Sequence, residues 1–410
     1  MSKSLTNLWR AQIKVIFLTY DAENSPYLKT YFLPLLNGLN DEDVEYFVGQ
    51  ITNGAFTSSI NLEWSEDTQT GQIVKVGRGE GLLTFFRALL LLKSFVKRQD
   101  TEESVVIYRS IGGAFMYLTL RLAGVKFRAT VYDSDGLAIQ ERIETGVWKK
   151  FGVKALVSKS IELLGIISAD KILVRSQETI RQITSRRFVI GKKLFCVLEN
   201  GRDTEMFSPA TYEDRQRIRT ELGFNAQDFI VIYVGTIGDQ YMVPEMRRLF
   251  QEIRTQVVNT KFLILTYAQD EVIKTYFGSE EQRLNNEIYV LKIAPDLVGR
   301  AICIGDVGIT LRLPLPSMEH VAPLKYREYL LSGVPVIYSG RTGDHGIVSN
   351  VLARQLDHKR TNSYVEIASW VSTKLVNNRE QIRLMARQYG LEKFDISTDS
   401  IKLTRFLNEN

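Results

Sequence analysis

Lys325 and Glu328 combine a cation and a carboxylate at a spacing that suits a phosphorylated ligand. The two residues are three positions apart near the start of a predicted helix, so their side chains project from one face. A helix N-terminus that carries a cation suits a diphosphate, and a nearby carboxylate suits sugar hydroxyls. The same spacing also fits an ordinary salt bridge on the surface of an amphipathic helix, so the pair alone does not decide the matter.

The surrounding segment, residues 317–339, predicts the order loop, short helix, glycine and buried strand. Glu319 and His320 lie in its polar loop. Pro323 is typical of a helix start because proline has no amide proton to leave unpaired, and Gly333 is typical of a helix end because glycine tolerates a left-handed cap. The segment therefore predicts one short helix that leads into an apolar strand.

Three loops in the first half, at residues 25–26, 112–113 and 133–136, are candidates for a pocket that binds an acceptor molecule. Asp133 and Asp135 form a D-x-D pair that could hold a divalent cation, but no third ligand accompanies them and a loop that shapes an acceptor pocket is favoured. Gly112 and Gly113 are predicted to form a turn, and their amides, like that of Gly235 in the second half, could approach a phosphate. No P-loop or complete dinucleotide fingerprint accompanies these glycines.

Histidine and cysteine usage argues against other kinds of site. The three histidines, His320, His345 and His358, all lie in the second half without a G-x-S-x-G motif, so a hydrolase triad is not indicated. Cys196 and Cys303 lie in apolar runs, which indicates neither a disulfide framework nor a cysteine zinc site. We expect no bound metal and a reducing, cytoplasmic setting.

Length and charge limit the class of protein. The 410 residues are enough for two or three domains that each bury a core. A formal charge of +5 gives only a weak preference for anionic partners, and a nucleic-acid interface would concentrate its basic residues more strongly. We therefore expect no nucleic-acid partner.

Short apolar runs alternate with segments of helical periodicity, and the alternation restarts in the second half. Strands are predicted at residues 13–19, 44–49, 72–76, 104–109, 127–133, 229–235, 261–266, 287–292 and 306–311. Apolar strands separated by helices indicate parallel sheets covered on both faces, and ligands bind at the carboxyl ends of such strands. The predicted fold class is α/β with two consecutive parallel-sheet units, and a cleft between them is the expected binding site.

With these elements in place, the second half resembles a GT-B glycosyltransferase of family 4, the retaining nucleotide-sugar enzymes. Residues 199–209 resemble the family's N-G-x-D-x-x-x-F-x-P motif, and residues 229–238 resemble its strand and glycine loop under the donor phosphates. Residues 323–338 resemble its donor-binding P-x-K-x-x-E-Y-x-x-x-G-x-P-V-I variant. In the first half, residues 107–110 and 131–136 resemble acceptor-domain segments of bacterial polysaccharide transferases.

The resemblance implies two Rossmann-like parallel-sheet domains that face each other across a cleft. Residues 1–190 would form the acceptor-side domain, and residues 191–385 would form the domain that binds the nucleotide-sugar donor. Residues 386–410 would form a C-terminal helix that crosses back to the N-terminal domain.

The resemblance also implies roles in donor binding. Lys325 would contact the donor diphosphate, and Glu328 would contact the ribose hydroxyls. Gly235 and Thr236 would offer backbone and hydroxyl donors to the diphosphate. Family members commonly place a basic residue in this loop, which has none here, and Arg312 is the candidate to replace it.

Glu319 and His320 are rival candidates for the catalytic position beside the transferred sugar. The family has two glutamates eight positions apart, whereas Glu319 lies nine positions before Glu328 and His320 lies eight. The resemblance implies front-face attack in which the leaving diphosphate takes the acceptor proton. The protein would then mainly position the reactants and stabilise charge, and Lys325 with helix N-termini would make a metal unnecessary.

The expected function is transfer of a hexose or N-acetylhexosamine from a UDP- or GDP-sugar to a glycan, glycolipid or glycoprotein, with no further cofactor. The alternative is a non-catalytic GT-B-like protein that binds a glycan or nucleotide or partners another transferase. A Rossmann-type oxidoreductase is disfavoured because its glycine fingerprint is missing.

Two apolar segments raise the question of membrane contact. Residues 82–96 are too short and too charged to span a bilayer and are predicted to form a buried helix, with contact between its apolar face and a membrane as the alternative. The basic, then apolar, run 148–167 could dock on a membrane that bears a lipid-linked acceptor, although a core helix explains it equally well. No apolar signal-peptide core precedes residue 13, and the expected location is the cytoplasm, either free or peripheral on the inner face of the membrane.

Overall fold

The structure is a computed structural model. It describes residues 13–21, 27–40, 44–53, 55, 61–64, 71–80, 82–186, 193–293, 297–340 and 350–409, so the predicted loop at residues 25–26 lies outside the described residues. The chain divides into two compact units, Met1–Leu198 with Ser397–Asn410, and Glu199–Ile396.

The first unit contains an eight-stranded sheet. Its strands are β1 (Ile13–Asp21), β2 (Val44–Thr52), β3 (Asn61–Trp64), β4 (Gly71–Gly77), β5 (Ser104–Arg109), β6 (Ala129–Asp133), β7 (Lys171–Val174) and β8 (Leu194–Val197). The strand order is β3-β4-β2-β1-β5-β6-β7-β8. Neighbouring strands are parallel except β3 and β4, an antiparallel edge pair that the sequence pattern does not predict.

Helices connect the parallel strands of the first unit. They are α1 (Leu33–Asn40), α2 (Leu82–Val96), α3 (Ser110–Leu122), α4 (Ala138–Glu144), α5 (Val153–Ser168) and α6 (Gln177–Thr184), with a π-helical turn (Leu28–Phe32) before α1 and a 3-10 turn (Thr101–Glu103) before β5. Ala88 of α2, Ala114 of α3 and Ile166 of α5 share one apolar cluster with Val106 of β5. These three helices therefore cover the same face of the sheet.

Gly112 and Gly113 lie inside α3, so the predicted turn is wrong. Strand β5 passes directly into the helix through Ser110, whose φ is 57°. A Cβ on Gly113 would come within 2.7 Å of the carbonyl oxygen of Leu18, and one on Gly112 would collide with the side chain of Tyr20. The glycines are needed because α3 packs against the backbone of β1, a role that a turn-based reading of glycine overlooks.

The second unit contains a six-stranded sheet, and all of its neighbouring strands are parallel. Its strands are β9 (Phe229–Val234), β10 (Thr260–Leu265), β11 (Ile288–Leu291), β12 (Val307–Thr310), β13 (Val336–Ser339) and β14 (Ala353–Leu356), in the order β11-β10-β9-β12-β13-β14. Two parallel-sheet units confirm the α/β class and the Rossmann-like architecture, and the predicted strands form close to their expected positions.

The helices of the second unit are α7 (Tyr212–Glu221), α8 (Val243–Gln256), α9 (Asp270–Phe277), α10 (Glu280–Asn285), α11 (Val298–Ile302), α12 (Leu324–Leu331), α13 (Thr361–Trp370) and α14 (Arg379–Phe394). Short 3-10 turns occur at Asp239–Tyr241, Pro316–His320 and Val376–Asn378, and a π-helical turn occurs at Val371–Leu375. Among the helices that the structure describes, each is too short or too polar to cross a bilayer.

The last helix, α15 (Ile396–Asn408), belongs almost entirely to the first unit. Lys171 of β7 is buried and donates to the carbonyl oxygens of Phe406 at 2.8 Å and Leu407 at 3.2 Å. The Ser400 hydroxyl donates to the carbonyl of Leu35 at 3.0 Å. Strand β8 belongs to the first unit because it pairs with β7, and α14 belongs to the second unit because it packs against α12.

A buried ion pair ties α7 to the second sheet. Arg219 Nη2 lies 2.8 Å from Asp306 Oδ2, and both side chains are almost fully buried. Arg219 also donates to the carbonyl oxygens of Ile304 and Asp228, while Asp306 accepts from the amide of Ile230 at 2.8 Å. One side chain thereby holds the segments that precede β9 and β12.

We expect Arg219→Ala to lower the free energy of unfolding by about 3–5 kcal/mol, because Asp306 would keep a buried charge without its nearest partner, and Arg379 lies farther away at 3.9 Å. Arg217→Ala is the matched control on the same helix, since Arg217 pairs with Asp214 at the surface and should contribute under about 1 kcal/mol. Urea-induced unfolding measures both. Equal losses in the two variants would contradict the assignment.

Candidate functional site

Helix α12 carries the predicted donor-binding pair and begins at the carboxyl edge of the second sheet, because it connects the parallel strands β12 and β13. Tyr329 fixes the helix in place. The amide of Val234 donates to its hydroxyl at 2.9 Å, and the hydroxyl donates to the carbonyl of Ile309 at 3.2 Å. Gly308 lies beneath the ring, where a Cβ would come within 2.6 Å. The position of α12 is therefore set by two adjacent strands, β9 and β12.

Glu328 lies between two cations. Lys325 Nζ is 2.8 Å from Glu328 Oε2, and Arg202 Nη2 is 3.0 Å from Glu328 Oε1. The side chains of Glu328 and Arg202 are 2% and 3% exposed, whereas that of Lys325 is 34% exposed. Burial alone would raise the pKa of Glu328, but Lys325 and Arg202 more than offset it and hold the pKa below its usual value. The carboxylate is therefore charged at neutral pH and is accessible mainly from the side of Lys325.

Arg202 is the residue of this group that the sequence analysis missed. It lies in the segment 199–209, and its amide donates to the carbonyl of Phe394 at 2.8 Å. The ring centroid of Phe207 lies 5.0 Å from its guanidinium carbon, so its orientation is fixed by packing as well as by charge. Arg202 occupies the variable position x of the N-G-x-D motif, so the motif itself does not specify an arginine there. The one available signal was that the motif lies just before the second sheet in the chain.

The loop after β9 contains Gly235 and Thr236. The Gly235 amide donates to the carbonyl of Leu265 at 3.0 Å, so its proton is already hydrogen-bonded to the last residue of β10. The carbonyl of Thr236 accepts from the Tyr233 hydroxyl at 2.6 Å, and Thr236 itself is exposed. Of the two predicted phosphate donors, Thr236 is the more accessible.

Arg312 follows β12 at the same carboxyl edge. Its amide donates to Ser339 Oγ at 2.7 Å, and its carbonyl accepts from the same hydroxyl at 2.6 Å, which fixes its backbone beside β13. Its guanidinium lies over the ring of Tyr241 at 5.5 Å and 3.5 Å from the Met318 sulfur. Arg312 therefore lies between the 3-10 turn that follows the β9 loop and the turn that contains Glu319.

Glu319 and His320 share the 3-10 turn Pro316–His320, which precedes α12. His320 is 6% exposed, whereas Glu319 is half-buried. The structure thus brings both rivals to the same edge as Arg312. Accessibility favours Glu319 for direct contact with a ligand, and its role stays a prediction.

A second charged group lies at the carboxyl edge of the first sheet. Asp21 ends β1, Arg109 ends β5, Asp133 ends β6 and Arg175 follows β7, which are four neighbouring strands. Arg109 pairs with Asp21 at 3.1 Å and with Asp135, and Arg175 pairs with Asp133 at 2.8 Å. We call these five residues the first-sheet cluster. Each member sits at or just after a strand end, which is the signal that could have identified the three residues missed from the sequence.

The two predicted carboxylates of this cluster have different environments. Burial raises the pKa of Asp133 despite its pairing with Arg175. Burial also acts to raise the pKa of Asp135, but Arg109 outweighs it and the pKa is lowered. Asp135 is also the more exposed of the two, at 26% against 2%. Asp135 therefore stays charged and accessible to a ligand. Among the described residues, no group of three or more His, Cys, Asp or Glu side chains is arranged to hold a metal ion.

No protein-family model and no curated protein matches the chain. Solved structures do. A sucrose-phosphate synthase from Thermosynechococcus elongatus is similar with a TM-score of 0.73 and 12% identity, over 96% of this chain and 98% of that one. HepE of Anabaena, solved with UDP and glucose, has a TM-score of 0.68 and 14% identity, over 96% and 99%. A UDP-forming trehalose-phosphate synthase from Burkholderia xenovorans, solved with glucose-6-phosphate, has a TM-score of 0.68 and 12% identity, over 97% and 100%.

At identities this low, the likeness concerns the fold. The similarity extends over nearly the whole of each chain, so both parallel-sheet units are included. The chain has the fold of GT-B glycosyltransferases, with two Rossmann-like domains, as the sequence predicted.

Proposed function

We propose that the chain is a retaining glycosyltransferase of the family 4 type that transfers a hexose or N-acetylhexosamine from a UDP-sugar to a sugar-bearing acceptor. One observation carries the proposal. A charged, buried carboxylate, Glu328, lies beside a half-exposed cation, Lys325, in the first turn of a helix at the carboxyl edge of a parallel sheet. The UDP and UDP-glucose complexes of Anabaena HepE, which shares the fold, support the choice of donor.

When the donor binds, Glu328 would exchange its bond to Lys325 for a hydrogen bond from the donor ribose. Lys325 Nζ now donates to Glu328 Oε2, and a diphosphate at the start of α12 would compete for that ammonium. Its departure would leave Oε2 to accept from a ribose hydroxyl. Arg202 would keep its bond to Oε1 and hold the carboxylate ionised and oriented. Arg202 is therefore a positioning residue, while Lys325 and Glu328 contact the donor.

Charge on the leaving diphosphate would be stabilised by Lys325, Arg312 and the Thr236 hydroxyl. These groups follow β9 and β12 or begin α12, so neighbouring parallel strands deliver them to one edge. The leaving diphosphate would itself accept the acceptor proton, so no protein base is needed on that face. Glu319, the more accessible of the two rivals, would lie beside the transferred sugar, with His320 packed behind it.

The acceptor would bind at the first-sheet cluster of the first unit. Asp135 offers an ionised carboxylate that can accept hydrogen bonds from sugar hydroxyls, and Arg109 keeps it ionised. Asp133 is held inside by Arg175 and would support the shape of the site. Gly112 and Gly113 would contribute only by allowing α3 to start close to this edge.

A non-catalytic, nucleotide-binding protein is the second candidate, and one observation favours it. Both carboxylate oxygens of Glu328 are already bonded to cations, and the Gly235 amide is bonded to Leu265. If these bonds persist with nucleotide present, binding without transfer would result. Hydrolysis of UDP-sugar in the absence of acceptor separates the candidates, because a transferase should release UDP slowly and a binding protein should not.

Lys325→Ala should weaken UDP-sugar binding roughly 10- to 100-fold, because a charge-assisted bond to the diphosphate contributes about 1.5–3 kcal/mol. Lys325→Arg should retain most of the affinity. Lys292→Ala is the control, since Lys292 forms an exposed pair with Asp270 in the same unit. Isothermal titration calorimetry measures all three, and unchanged affinity in Lys325→Ala would reject the donor site.

Arg312→Ala should lower the affinity for UDP about tenfold if its guanidinium replaces the missing loop cation. Arg247→Ala is the control, because Arg247 is an exposed arginine of the same unit that donates to the Tyr276 carbonyl. The same calorimetric titration applies. An effect no larger than that of the control would show that Arg312 serves the fold and not the ligand.

Asp135→Asn should raise the acceptor KM about tenfold and leave acceptor-independent hydrolysis of the donor unchanged, because the side chain acts only on the acceptor. Asp100→Asn is the control in the same unit, since Asp100 is exposed near Lys14 at the amino edge of the sheet. Initial rates with varied acceptor measure the effect. Loss of donor hydrolysis in Asp135→Asn would place the residue elsewhere in the reaction.

A further inference from the structure

Helix α5 has two apolar sides, and one of them faces solvent. Its inner side is buried, where the Tyr108 hydroxyl donates to the carbonyl of Gly165 at 2.7 Å. Its outer side carries a stripe at helical spacing, and the exposed fractions of these side chains run from 43% to 77%. The stripe consists of Val153, Leu156, Val157, Leu164 and Ile167. At 1.5 Å per residue it extends for about 20 Å.

Helix α2 repeats this feature on the same face of the sheet. Leu83, Phe86 and Leu90 follow one another at helical spacing and are 67%, 51% and 62% exposed. Phe85, on the other side of α2, stacks on Phe115 of α3 with ring centroids 5.7 Å apart. Helix α3 packs in turn against α5, so α2, α3 and α5 form one layer. The exposed apolar residues of α2 and α5 therefore share the outer surface of that layer.

The exposed charged side chains of this layer are all basic. Residues 82–96, 110–122 and 147–161 contain no aspartate or glutamate. Their charged residues are Arg87, Lys93, Arg121, Lys149, Lys150, Lys154 and Lys159. The next acidic residue, Glu162, is turned inward and pairs with Arg186 at 3.1 Å. Lysines and apolar side chains alternate through residues 149–157, all of them exposed except Gly152 and Ala155.

Exposed apolar stripes flanked by lysines match the boundary of a lipid bilayer. Apolar side chains enter the acyl region, while lysine stems lie along them and place their ammonium groups among anionic headgroups. A surface that binds a protein partner commonly carries charges of both signs. The exposed charges of this surface are cations alone. We propose that the outer surface of α2, α3 and α5, which we call the basic apolar surface, docks on membranes that contain anionic lipid.

Binding of the full chain to vesicles tests this without donor or acceptor, so its outcome is independent of the proposed transferase activity. Large vesicles of phosphatidylcholine alone are compared with vesicles of phosphatidylcholine and phosphatidylglycerol by co-sedimentation. We expect at least roughly tenfold tighter binding to the anionic vesicles at low salt, and weaker binding as salt screens the lysines. No binding to anionic vesicles at low salt would overturn the proposal.

The triple variant Lys149→Glu, Lys150→Glu, Lys154→Glu should bind anionic vesicles roughly 100-fold or more weakly, because each lysine near an anionic surface contributes about a factor of five. The matched control reverses three exposed lysines of the second unit, Lys274, Lys359 and Lys374, to glutamate. This control carries the same net charge and should bind as the unaltered chain does. An equal loss in both triple variants would mean that only net charge matters, which contradicts a defined surface.

The apolar contribution needs its own pair of variants. Leu156→Ser with Leu164→Ser should weaken vesicle binding at least roughly tenfold, since the energy follows the apolar area buried. Val258→Ser with Leu384→Ser removes two apolar side chains of the second unit that are even more exposed, at 83% and 72%, and should have no effect. Thermal unfolding should be unchanged in all variants. Self-association in sedimentation velocity that the Leu156/Leu164 variant abolishes, with vesicle binding intact, would assign the surface to a second copy instead.

Discussion

Removing Glu328 from water is the constraint on which the second unit's candidate site depends. A carboxylate that is 2% exposed stays ionised only with compensating charge, and Arg202 and Lys325 supply it from opposite sides. Because Arg202 is itself buried, the segment before the second sheet must be packed before the carboxylate can be oriented. Tyr329 then fixes the helix against β9 and β12. Arg202 and Lys325 therefore balance the charge of Glu328, and Tyr329 holds α12 against the rest of the second unit.

The two units neutralise a buried charged side chain with opposite arrangements of charge. In the second unit one carboxylate is held by two cations, whereas in the first unit Arg109 is held by two carboxylates, Asp21 and Asp135. The first arrangement leaves a partly exposed cation at the edge, which suits an anionic ligand. The second leaves a partly exposed carboxylate, which suits a ligand rich in hydroxyls. This difference in sign supports the proposal that one sheet binds the donor and the other binds the acceptor.

Local periodicity explains what could be predicted from the sequence. Strand runs and the three-residue spacing of Lys325 and Glu328 follow from regular backbone geometry, so the α/β class and this pair were accessible. Arg202 was not, because its contact with α12 arises only from the tertiary packing of distant segments. Gly112 and Gly113 misled because glycine serves both turns and close helix–strand packing, and sequence alone does not separate the two uses.

The return of α15 to the first unit has a consequence for the order of folding. The second unit is built from one continuous stretch of chain, whereas the first needs its final helix to cover Lys171 and to engage the Ser400 hydroxyl. During synthesis the second unit can therefore complete its contacts before the first, even though most of the first leaves the ribosome earlier. Until α15 arrives, the Lys171 ammonium is solvated by water instead of by the carbonyls of Phe406 and Leu407, and one region of the first core stays uncovered. That uncovered apolar surface is the part of the nascent chain with the greatest tendency to aggregate.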